Sequence, residues 1–315
     1  DLGGDGDLAF QPLARIDQAG YRAWAAEWLE ARLLQEGVAV GPEQKAALWT
    51  ALDSLAGAPE AQRTLTGLSV LLQDNALRQA LQPYVLGGAH GRLLDADQDR
   101  LGTANVQCFE MEELMHSKAA LAAVLSYLFA RFEERFDGAP TLLILDEAWL
   151  FLDEPLFAAR IRQWLKTLRK KNVSVIFATQ SLADIQDSSI AAAIIESCAS
   201  RIFLPNPQAG EPQIRGIYQG FGLNHRQIEI VTQATPKRDY YCQSRLGNRL
   251  FDLDLDPVAL AFATAASPAE QREIDRVLQK SGAADFACAW LRHRGLDWAA
   301  ELLAYYPSQS KECLS

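Results

Sequence analysis

The stretch that decides the fold is Thr141-Leu142-Leu143-Ile144-Leu145-Asp146-Glu147, a short apolar run that ends in two adjacent carboxylates. Apolar sequence without alternation is typical of a parallel strand whose two faces are both covered. The run therefore predicts a buried parallel strand that carries its acidic pair at the carboxyl end, which is the edge where open α/β sheets bind ligands.

The acidic pair suits a site that hydrolyses a nucleotide. Asp146 can hold a Mg²⁺ ion through a water molecule, and Glu147 can orient or deprotonate the attacking water. The alternative is an acidic loop that merely follows a strand, and the apolar residues on both sides of the pair make that alternative less favoured. The usual phosphate-binding partner of such a pair is a loop of the form GxxxxGK[S/T]. No such loop occurs in the 315 residues.

A second apolar run, Val173 to Thr179, predicts the next strand, after a helix expected from about Leu156 to Lys171. Gln180 follows this strand directly and would approach the acidic pair if the two strands are neighbours. A side-chain amide at that position can orient the attacking water or sense the γ-phosphate. The alternative is a loop glutamine that only bonds to the backbone.

The helix before the second strand ends in a basic segment, Lys166-Thr167-Leu168-Arg169-Lys170-Lys171-Asn172. Cations at the carboxyl end of a helix are stabilised by the helix dipole and need no further role. Two functional alternatives remain open: contact with DNA phosphates, or an arginine finger that reaches a neighbouring subunit's γ-phosphate. Arg169 is one candidate for the finger. Arg201, which begins a third predicted strand ending at Leu204, is the other.

The remaining pattern predicts an α/β protein. A helix from about Ser188 to Cys198, with Asp187 as a possible N-cap, would connect the second strand to the third in one mostly parallel sheet with crossover helices. Upstream, we expect a strand at Asn105–Phe109 and a long helix at Ser117–Phe136. Residues 20–82 show helical periodicity and no strand pattern.

Later segments add a hairpin and a helical end. Asp239–Arg245 and Arg249–Leu253 flank Gly247-Asn248 and predict two antiparallel strands. The region from Pro257 to Tyr306 is again helical. Asp95, Asp97 and Asp99 have the spacing of a calcium-binding loop, but the glycine and the terminal glutamate of such a loop are missing, so a solvated turn is favoured.

Composition excludes several classes of protein. The net charge of −10 argues against a basic coat protein for nucleic acid, and no apolar run approaches the roughly 20 residues that span a bilayer. The five cysteines form no CxxC pair, and the four histidines have no ligand spacing. A reducing, cytoplasmic setting is expected. The chain begins at Asp1 rather than Met, as expected of a fragment of a longer protein.

Taken in order, these motifs resemble those of the TrbE-type conjugal-transfer ATPases of type IV secretion systems, in the FtsK–HerA-like branch of P-loop NTPases. The resemblance covers nearly the whole chain and is carried by the acidic strand, the basic helix end, the second strand with Gln180 and several further segments. The further segments are Phe10-Gln11-Pro12-Leu13, Phe109-Glu110-Met111-Glu112, Ser200-Arg201-Ile202-Phe203-Leu204-Pro205-Asn206-Pro207 and Tyr240-Tyr241.

The resemblance implies a fold, roles and partners. The fold would be a P-loop NTPase-like α/β core with an all-α insertion and a helical C-terminal region. ATP and Mg²⁺ would be the cofactors, with Asp146 serving the Mg²⁺, Glu147 activating water and Gln180 acting as the sensor. Arg169 or Arg201 would act across a subunit boundary in a hexamer-like ring. The domains would be a truncated start of the core, the insertion, the main core and the C-terminal region, at 1–19, 20–104, 105–255 and 256–315.

The resemblance also implies a cellular role. The ATPase would energise type IV secretion or conjugal transfer of DNA or protein, together with other subunits of the secretion system. It would be cytoplasmic and peripheral at the bacterial inner membrane, with membrane contact made by missing residues or by partners, and with DNA as a possible further partner. Because the phosphate loop is missing, we expect the isolated chain to be inactive.

Two alternatives stay open from the sequence. One is a DNA-translocating motor or coupling protein of the same superfamily. The other is a non-catalytic interaction module that has lost the loop. The coding sequence upstream of Asp1 discriminates between an enzyme and a module, because a strand followed by GxxxxGK[S/T] would support the enzyme.

Overall fold

The computed structural model describes residues 8–147, 155–264 and 267–305. The chain divides into two compact units, Asp1–Ser197 and Cys198–Ser315. In the described parts, the first unit has a parallel pair of strands among many helices, and the second has a three-stranded antiparallel sheet followed by helices. Both units are therefore of mixed α and β composition.

The first unit begins with a helical region that precedes its first strand. In chain order, the α-helices described there are α1 (Ala19–Gln35), α2 (Pro42–Ala56), α3 (Leu65–Leu71), α4 (Asn75–Leu81), α5 (Gly91–Leu94), α6 (Glu112–Met115) and α7 (Lys118–Arg135). Short 3₁₀ turns lie at Glu60–Gln62 and Gln82–Tyr84. The all-α pattern predicted for residues 20–82 is confirmed.

Capping residues explain where several of these helices begin. The side chain of Thr64 accepts a hydrogen bond from Gly67 N at the start of α3, and Asp74 accepts from Ala76 N at the start of α4. Pro42 occupies the first turn of α2, where its missing N–H costs nothing. Such caps satisfy backbone donors that the helix itself cannot pair.

One hydrophobic core joins these helices to the segment that precedes them. Phe10, Leu13 and Ile16 are fully buried in the same cluster as Leu29 of α1 and Tyr127 of α7. The indole of Trp28 donates to Ala123 O of α7 at 3.1 Å. The helix α7, predicted over Ser117–Phe136, is thus confirmed and forms one wall of the helical region.

The glycine-rich turn before α5 is required by close packing. A Cβ on Gly91 would lie 1.9 Å from Val85 O, and one on Gly88 would lie 2.1 Å from Gln82 O. The turn is held by Asp95, a buried carboxylate that accepts hydrogen bonds from Thr66 N, Thr66 Oγ1 and Leu86 N. Asp95 is therefore a structural residue rather than part of the solvated turn that its spacing predicted.

The functional half of the first unit is a β–α–β arrangement. Strand β1 (Thr141–Leu145) is followed by α8 (Pro155–Thr167), a 3₁₀ turn (Leu168–Lys171) and β2 (Val173–Phe177). The strands pair in parallel from Thr141↔Val173 to Leu145↔Phe177. Asn172 ends the 3₁₀ turn in the left-handed conformation, with φ of 59°, and its carbonyl accepts from Thr141 N. Parallel pairing of these two strands is confirmed.

One face of this strand pair is not covered, contrary to prediction. Leu142 is 57% exposed, Ile144 59% and Ile176 49%, whereas Leu145 and Val173 on the other face are buried. The register places Ile144 opposite Ile176, so these apolar side chains share the open face. The continuous apolar pattern of β1 suits burial on both sides, but residues of this chain that the structure describes cover only one side.

The connection after β2 contains two short helices, α9 (Leu182–Gln186) and α10 (Ala191–Ser197). The single helix predicted from about Ser188 to Cys198 is therefore shorter. The prediction that Asp187 is its N-cap is wrong, because Asp187 ends α9 and its backbone N–H donates to Ala183 O.

The second unit corrects the predicted topology. Strand β3 (Arg201–Phe203) pairs antiparallel with β4 (Asp239–Ser244), which pairs in turn with β5 (Gly247–Asp252). The third strand predicted for the parallel sheet thus belongs to another sheet, whereas the predicted hairpin is confirmed. The α-helices described in this unit are α11 (Pro212–Gly220), α12 (His225–Gln233), α13 (Pro257–Ala263), α14 (Pro268–His293) and α15 (Asp297–Tyr305).

The strand predicted at Asn105–Phe109 is also wrong. Residues 105–109 adopt no strand conformation, and Val106 is 87% exposed. The segment is held by side chains instead, because Phe109 packs on Phe132 and Arg135 donates to the carbonyl of Ala104. Within the described ranges, no helix has both the length and the apolar character needed to cross a membrane.

Candidate functional site

The carboxyl ends of β1 and β2 lie side by side. Leu145 is paired with Phe177, and one residue further Ala178 N donates to Leu145 O at 3.0 Å. The chain after each strand therefore leaves the sheet at the same edge. This places Asp146 and Glu147 next to the loop that contains Gln180.

Gln180 and Glu147 are in direct contact. The side-chain amide Nε2 of Gln180 donates to Oε1 of Glu147 at 2.5 Å, although 33 positions separate the two residues in the chain. The sequence predicted that they would be close if their strands were neighbours, and the structure brings them together. Both side chains remain partly or fully accessible to solvent.

The backbone at Glu147 is held in an uncommon conformation. Its φ angle is 51°, in the left-handed region that residues with a Cβ seldom adopt. Its N–H donates to Oδ1 of Asp146 at 3.0 Å. The turn that reverses the chain directly after the apolar strand thus directs the two adjacent carboxylates differently, and such strained positions are frequent at functional sites.

The loop that presents Gln180 is fixed by the hydroxyl of the residue before it. Thr179 Oγ1 donates to Ser181 O at 3.2 Å and accepts from Ser181 N at 3.3 Å. Thr179 therefore closes a tight turn with Gln180 at its tip. Nothing in the sequence distinguishes Thr179 as a positioning residue, because threonine is common at the end of any strand.

Asp146 is suited to a divalent cation. It is exposed, and only its Oδ1 receives a hydrogen bond from a described residue, the N–H of Glu147. Mg²⁺ in nucleotide sites takes one or two carboxylates, and its other ligands are water and phosphate oxygens. The donor set at this edge fits that pattern. In the part of the chain that the structure describes, no group of three or more histidine, cysteine and acidic side chains could form a separate metal site.

Arg169 does not join this cluster. It is exposed on the 3₁₀ turn that precedes β2, at the amino end of the strand, whereas Gln180 follows the carboxyl end. The five residues of β2 alone separate the two ends by about 16 Å. Within one subunit, Arg169 therefore lies at the opposite edge of the strand pair.

Arg201 lies in the second unit, where its side chain has local partners. Its guanidinium donates to Phe221 O at 2.8 Å and to Gln243 Oε1 at 3.4 Å. Gln243 is also its cross-strand neighbour in the pairing of β3 with β4. These contacts give Arg201 a structural role in holding the antiparallel sheet to the turn after α11.

Comparison with known proteins identifies the family. The sequence model of the TraG P-loop domain matches residues 71–242, which is more than half of the chain and includes all five candidate site residues. The chain belongs to the TraG P-loop family. The resemblance to TrbE-type conjugal-transfer ATPases is confirmed by relatives that match nearly its entire length.

Two TraG P-loop relatives show how much of such a protein this chain represents. It is 44% identical over 302 residues to the "Conjugal transfer protein TrbE" of Rhizobium radiobacter, covering 95% of this chain and 36% of that protein. It is 42% identical over 308 residues to a probable conjugal transfer protein TrbE of Sinorhizobium fredii (strain NBRC 101917 / NGR234), covering 96% and 46%. The chain thus spans less than half the length of either relative.

Structural comparison confirms the P-loop NTPase-like α/β fold class. VirB4 of Thermoanaerobacter pseudethanolicus superposes with a TM-score of 0.59 over 79% of this chain and 74% of that chain, at 18% sequence identity. A more distant sequence relative is the "Type IV secretion system protein virB4" of Bartonella henselae, which is 31% identical over 215 residues. That match covers 67% of this chain and 27% of that protein.

Proposed function

We propose that this chain supplies the Mg²⁺-binding and water-handling side chains of an ATPase that energises type IV secretion. The observation that carries the proposal is the contact between Gln180 and Glu147 beside Asp146, at the carboxyl edge of a parallel strand pair. The relatives are named as conjugal-transfer and type IV secretion proteins, which supports the cellular role.

Each residue of the cluster has a distinct task in the proposal. Asp146 holds the cation through its exposed carboxylate, and the cation neutralises charge that develops on the phosphate oxygens. Glu147 accepts a proton from the attacking water or orients it. Gln180 positions Glu147 through the hydrogen bond that it donates, and its amide can redirect that bond toward the water or the γ-phosphate when nucleotide is bound.

The phosphates must be held by residues other than those of this chain. The 315 residues contain no GxxxxGK[S/T] loop, and the open apolar face formed by Leu142, Ile144 and Ile176 supports the idea that further polypeptide covers the strand pair. We therefore expect the purified 315-residue chain to hydrolyse ATP at no useful rate. Robust Mg²⁺-dependent turnover by this chain, abolished by Glu147→Gln, would overturn that expectation.

The proposal extends to assembly and location. Arg169 lies at the opposite edge of the strand pair from Asp146, so it would reach a nucleotide only in a neighbouring subunit, as in a hexameric ring. Arg201, with its local hydrogen bonds, is the weaker candidate for that role. Other subunits of the secretion system would bring the motor to the cytoplasmic face of the inner membrane. Residues 20–104 would be its all-α insertion, 105–255 its core and 256–315 its helical end.

The test is ATP hydrolysis by the protein translated from the whole reading frame that contains this chain. Asp146→Asn should lower Mg²⁺-dependent turnover by at least about 100-fold and shift the Mg²⁺ requirement to higher concentration. Asp184→Asn is the matched control, because Asp184 is an exposed aspartate of the same unit that follows β2. Equal turnover in the two variants would contradict the assignment of the metal ligand.

A further inference from the structure

The second feature of the first unit is a basic face on α8 and the 3₁₀ turn that follows it. No aspartate or glutamate occurs between residues 155 and 183, although the chain as a whole carries a net charge of −10. Six cations lie in this interval, and five of them are exposed. We call these five the basic face: Arg162, Lys166, Arg169, Lys170 and Lys171.

The spacing of these cations gathers most of them on one side of the helix. Arg162, Lys166, Arg169 and Lys170 stand at i, i+4, i+7 and i+8, which is one stripe of a helix. The opposite side is packed into the unit by buried side chains of the same helix and turn. The buried set comprises Phe157, Ile161, Trp164 and Leu168.

The cations of the basic face are not neutralised by described residues. No ion pair links any of the five to a carboxylate in the described ranges, whereas the sixth cation, Arg160, pairs with Glu133 at 2.8 Å. Arg160 and Trp164 both bind Glu133 of α7, so this part of α8 is fixed by packing. The basic face is therefore presented by a rigid element rather than by a mobile tail.

The dimensions suit a polyanion. From Arg162 to Lys170 the helix rises about 12 Å, and a nucleic acid duplex carries about one phosphate charge per 1.7 Å of its axis. Several phosphates would thus lie within reach of one face. The amide of Gln163, also exposed, adds a neutral donor of the kind that contacts phosphate oxygens without reading bases.

An anionic membrane fits the same surface less well. Helices that lie on membranes insert exposed tryptophan, phenylalanine or leucine side chains beside their cations. From residue 157 to residue 172, every large hydrophobic side chain is buried or half-buried. The apolar side of α8 is already used for packing against the unit and is not available for insertion.

We propose that the basic face binds the phosphate backbone of a nucleic acid independently of base sequence. This proposal does not depend on ATP hydrolysis, and it concerns a surface rather than the edge that carries Asp146 and Glu147. Because the chain is acidic overall, attraction would be confined to short range and would be sensitive to ionic strength.

The test measures binding of the 315-residue chain to fluorescent 30-nucleotide single strands and 30-base-pair duplexes of two unrelated sequences, between 50 and 200 mM NaCl. The test variant combines Arg162→Gln, Lys166→Gln and Lys170→Gln. The control combines Arg245→Gln, Arg272→Gln and Lys280→Gln, three exposed cations of the second unit, so both triple variants have the same net charge. Arg169 is left unchanged because it is the candidate finger.

The expected result is binding without sequence preference by the wild type and the control. The test variant should lose at least about tenfold in affinity at 0.1 M salt, with a salt dependence of log K that is lower by about 2 to 3. Thermal unfolding of the three proteins confirms that they are equally folded. Equal binding by test and control variants, no binding by the wild type, or binding only to phosphatidylserine vesicles would overturn the proposal.

Discussion

Glu147 Oε1 accepts a hydrogen bond of 2.5 Å from Gln180 Nε2, and this bond joins the loops that follow two neighbouring parallel strands. It connects the residue proposed to activate water with the residue proposed to sense the γ-phosphate. Because both loops extend from the same edge of the strand pair, a change at one residue is expected to be transmitted to the other.

The left-handed backbone at Glu147 predicts an unusual ranking of two truncations. Glu147→Gly and Glu147→Ala both remove the bond to Gln180, but only glycine adopts a φ of 51° without strain from a Cβ. The glycine variant should therefore be more stable than the alanine variant by about 1 kcal/mol, as measured by urea unfolding.

Glu27 provides the matched control for this ranking. It is exposed in the middle of α1, where alanine should be more stable than glycine by about 1 kcal/mol. If alanine were the more stable replacement at both positions, the conformation described for Glu147 would be wrong.

Asp95 predicts a large loss of stability from a residue outside the site. Its buried carboxylate receives the N–H groups of Thr66 and Leu86, at 3.0 and 2.6 Å, and the hydroxyl of Thr66. Asp95→Ala would leave two backbone donors without their partner and should lower the free energy of unfolding by about 3 kcal/mol. Asp97→Ala, two residues later and exposed, should change it by less than about 0.5 kcal/mol. Similar losses in the two variants would show that Asp95 does not hold the turn.

His90 predicts a dependence of stability on pH. Burial lowers its pKa from the ordinary value of 6.5, against the opposing effect of the Glu36 carboxylate. Its ring packs on Tyr84, with ring centroids 5.7 Å apart, and Nε2 lies 3.4 Å from Ser117 Oγ. The unfolded chain binds the proton more readily than the folded one, so protonation of His90 should reduce stability as pH falls below about 6.5.

His90→Gln isolates that contribution. Between pH 7.5 and pH 5.5, the free energy of unfolding should fall more for the wild type than for this variant, as measured by urea unfolding at both values. An equal fall in the two proteins would indicate that His90 takes up its proton equally well in the folded and unfolded states.

The sequence predicted those elements whose signals are local. The apolar runs indicated β1 and β2, the Gly247-Asn248 signal indicated the hairpin, and the helical pattern indicated α7. The proximity of Gln180 to Glu147 followed from a general property of parallel strands, whose carboxyl ends share one edge. The catalytic roles of these residues remain predictions.

The errors concern choices that depend on distant residues. Arg201–Phe203 is a strand, but its partner is β4, and neither partner nor direction is written in three residues. Val106 belongs to a segment with strand-like composition that has no strand beside it in the described structure, and strand preference depends strongly on such context. The strained backbone of Glu147 and the clash that requires Gly91 also arise from three-dimensional packing.

The most direct test of the proposed site is a double-mutant cycle on ATP turnover by the protein from the complete reading frame. Glu147→Gln, Gln180→Ala and the double variant are compared with the wild type, and Glu196→Gln and Gln186→Ala serve as exposed controls in the same unit. We expect each single variant at the site to lose at least about 100-fold in kcat. Because the two residues act together, the double variant should lose little more than the worse single variant. Near-normal turnover in either single variant, or losses that simply multiply in the double variant, would contradict the account.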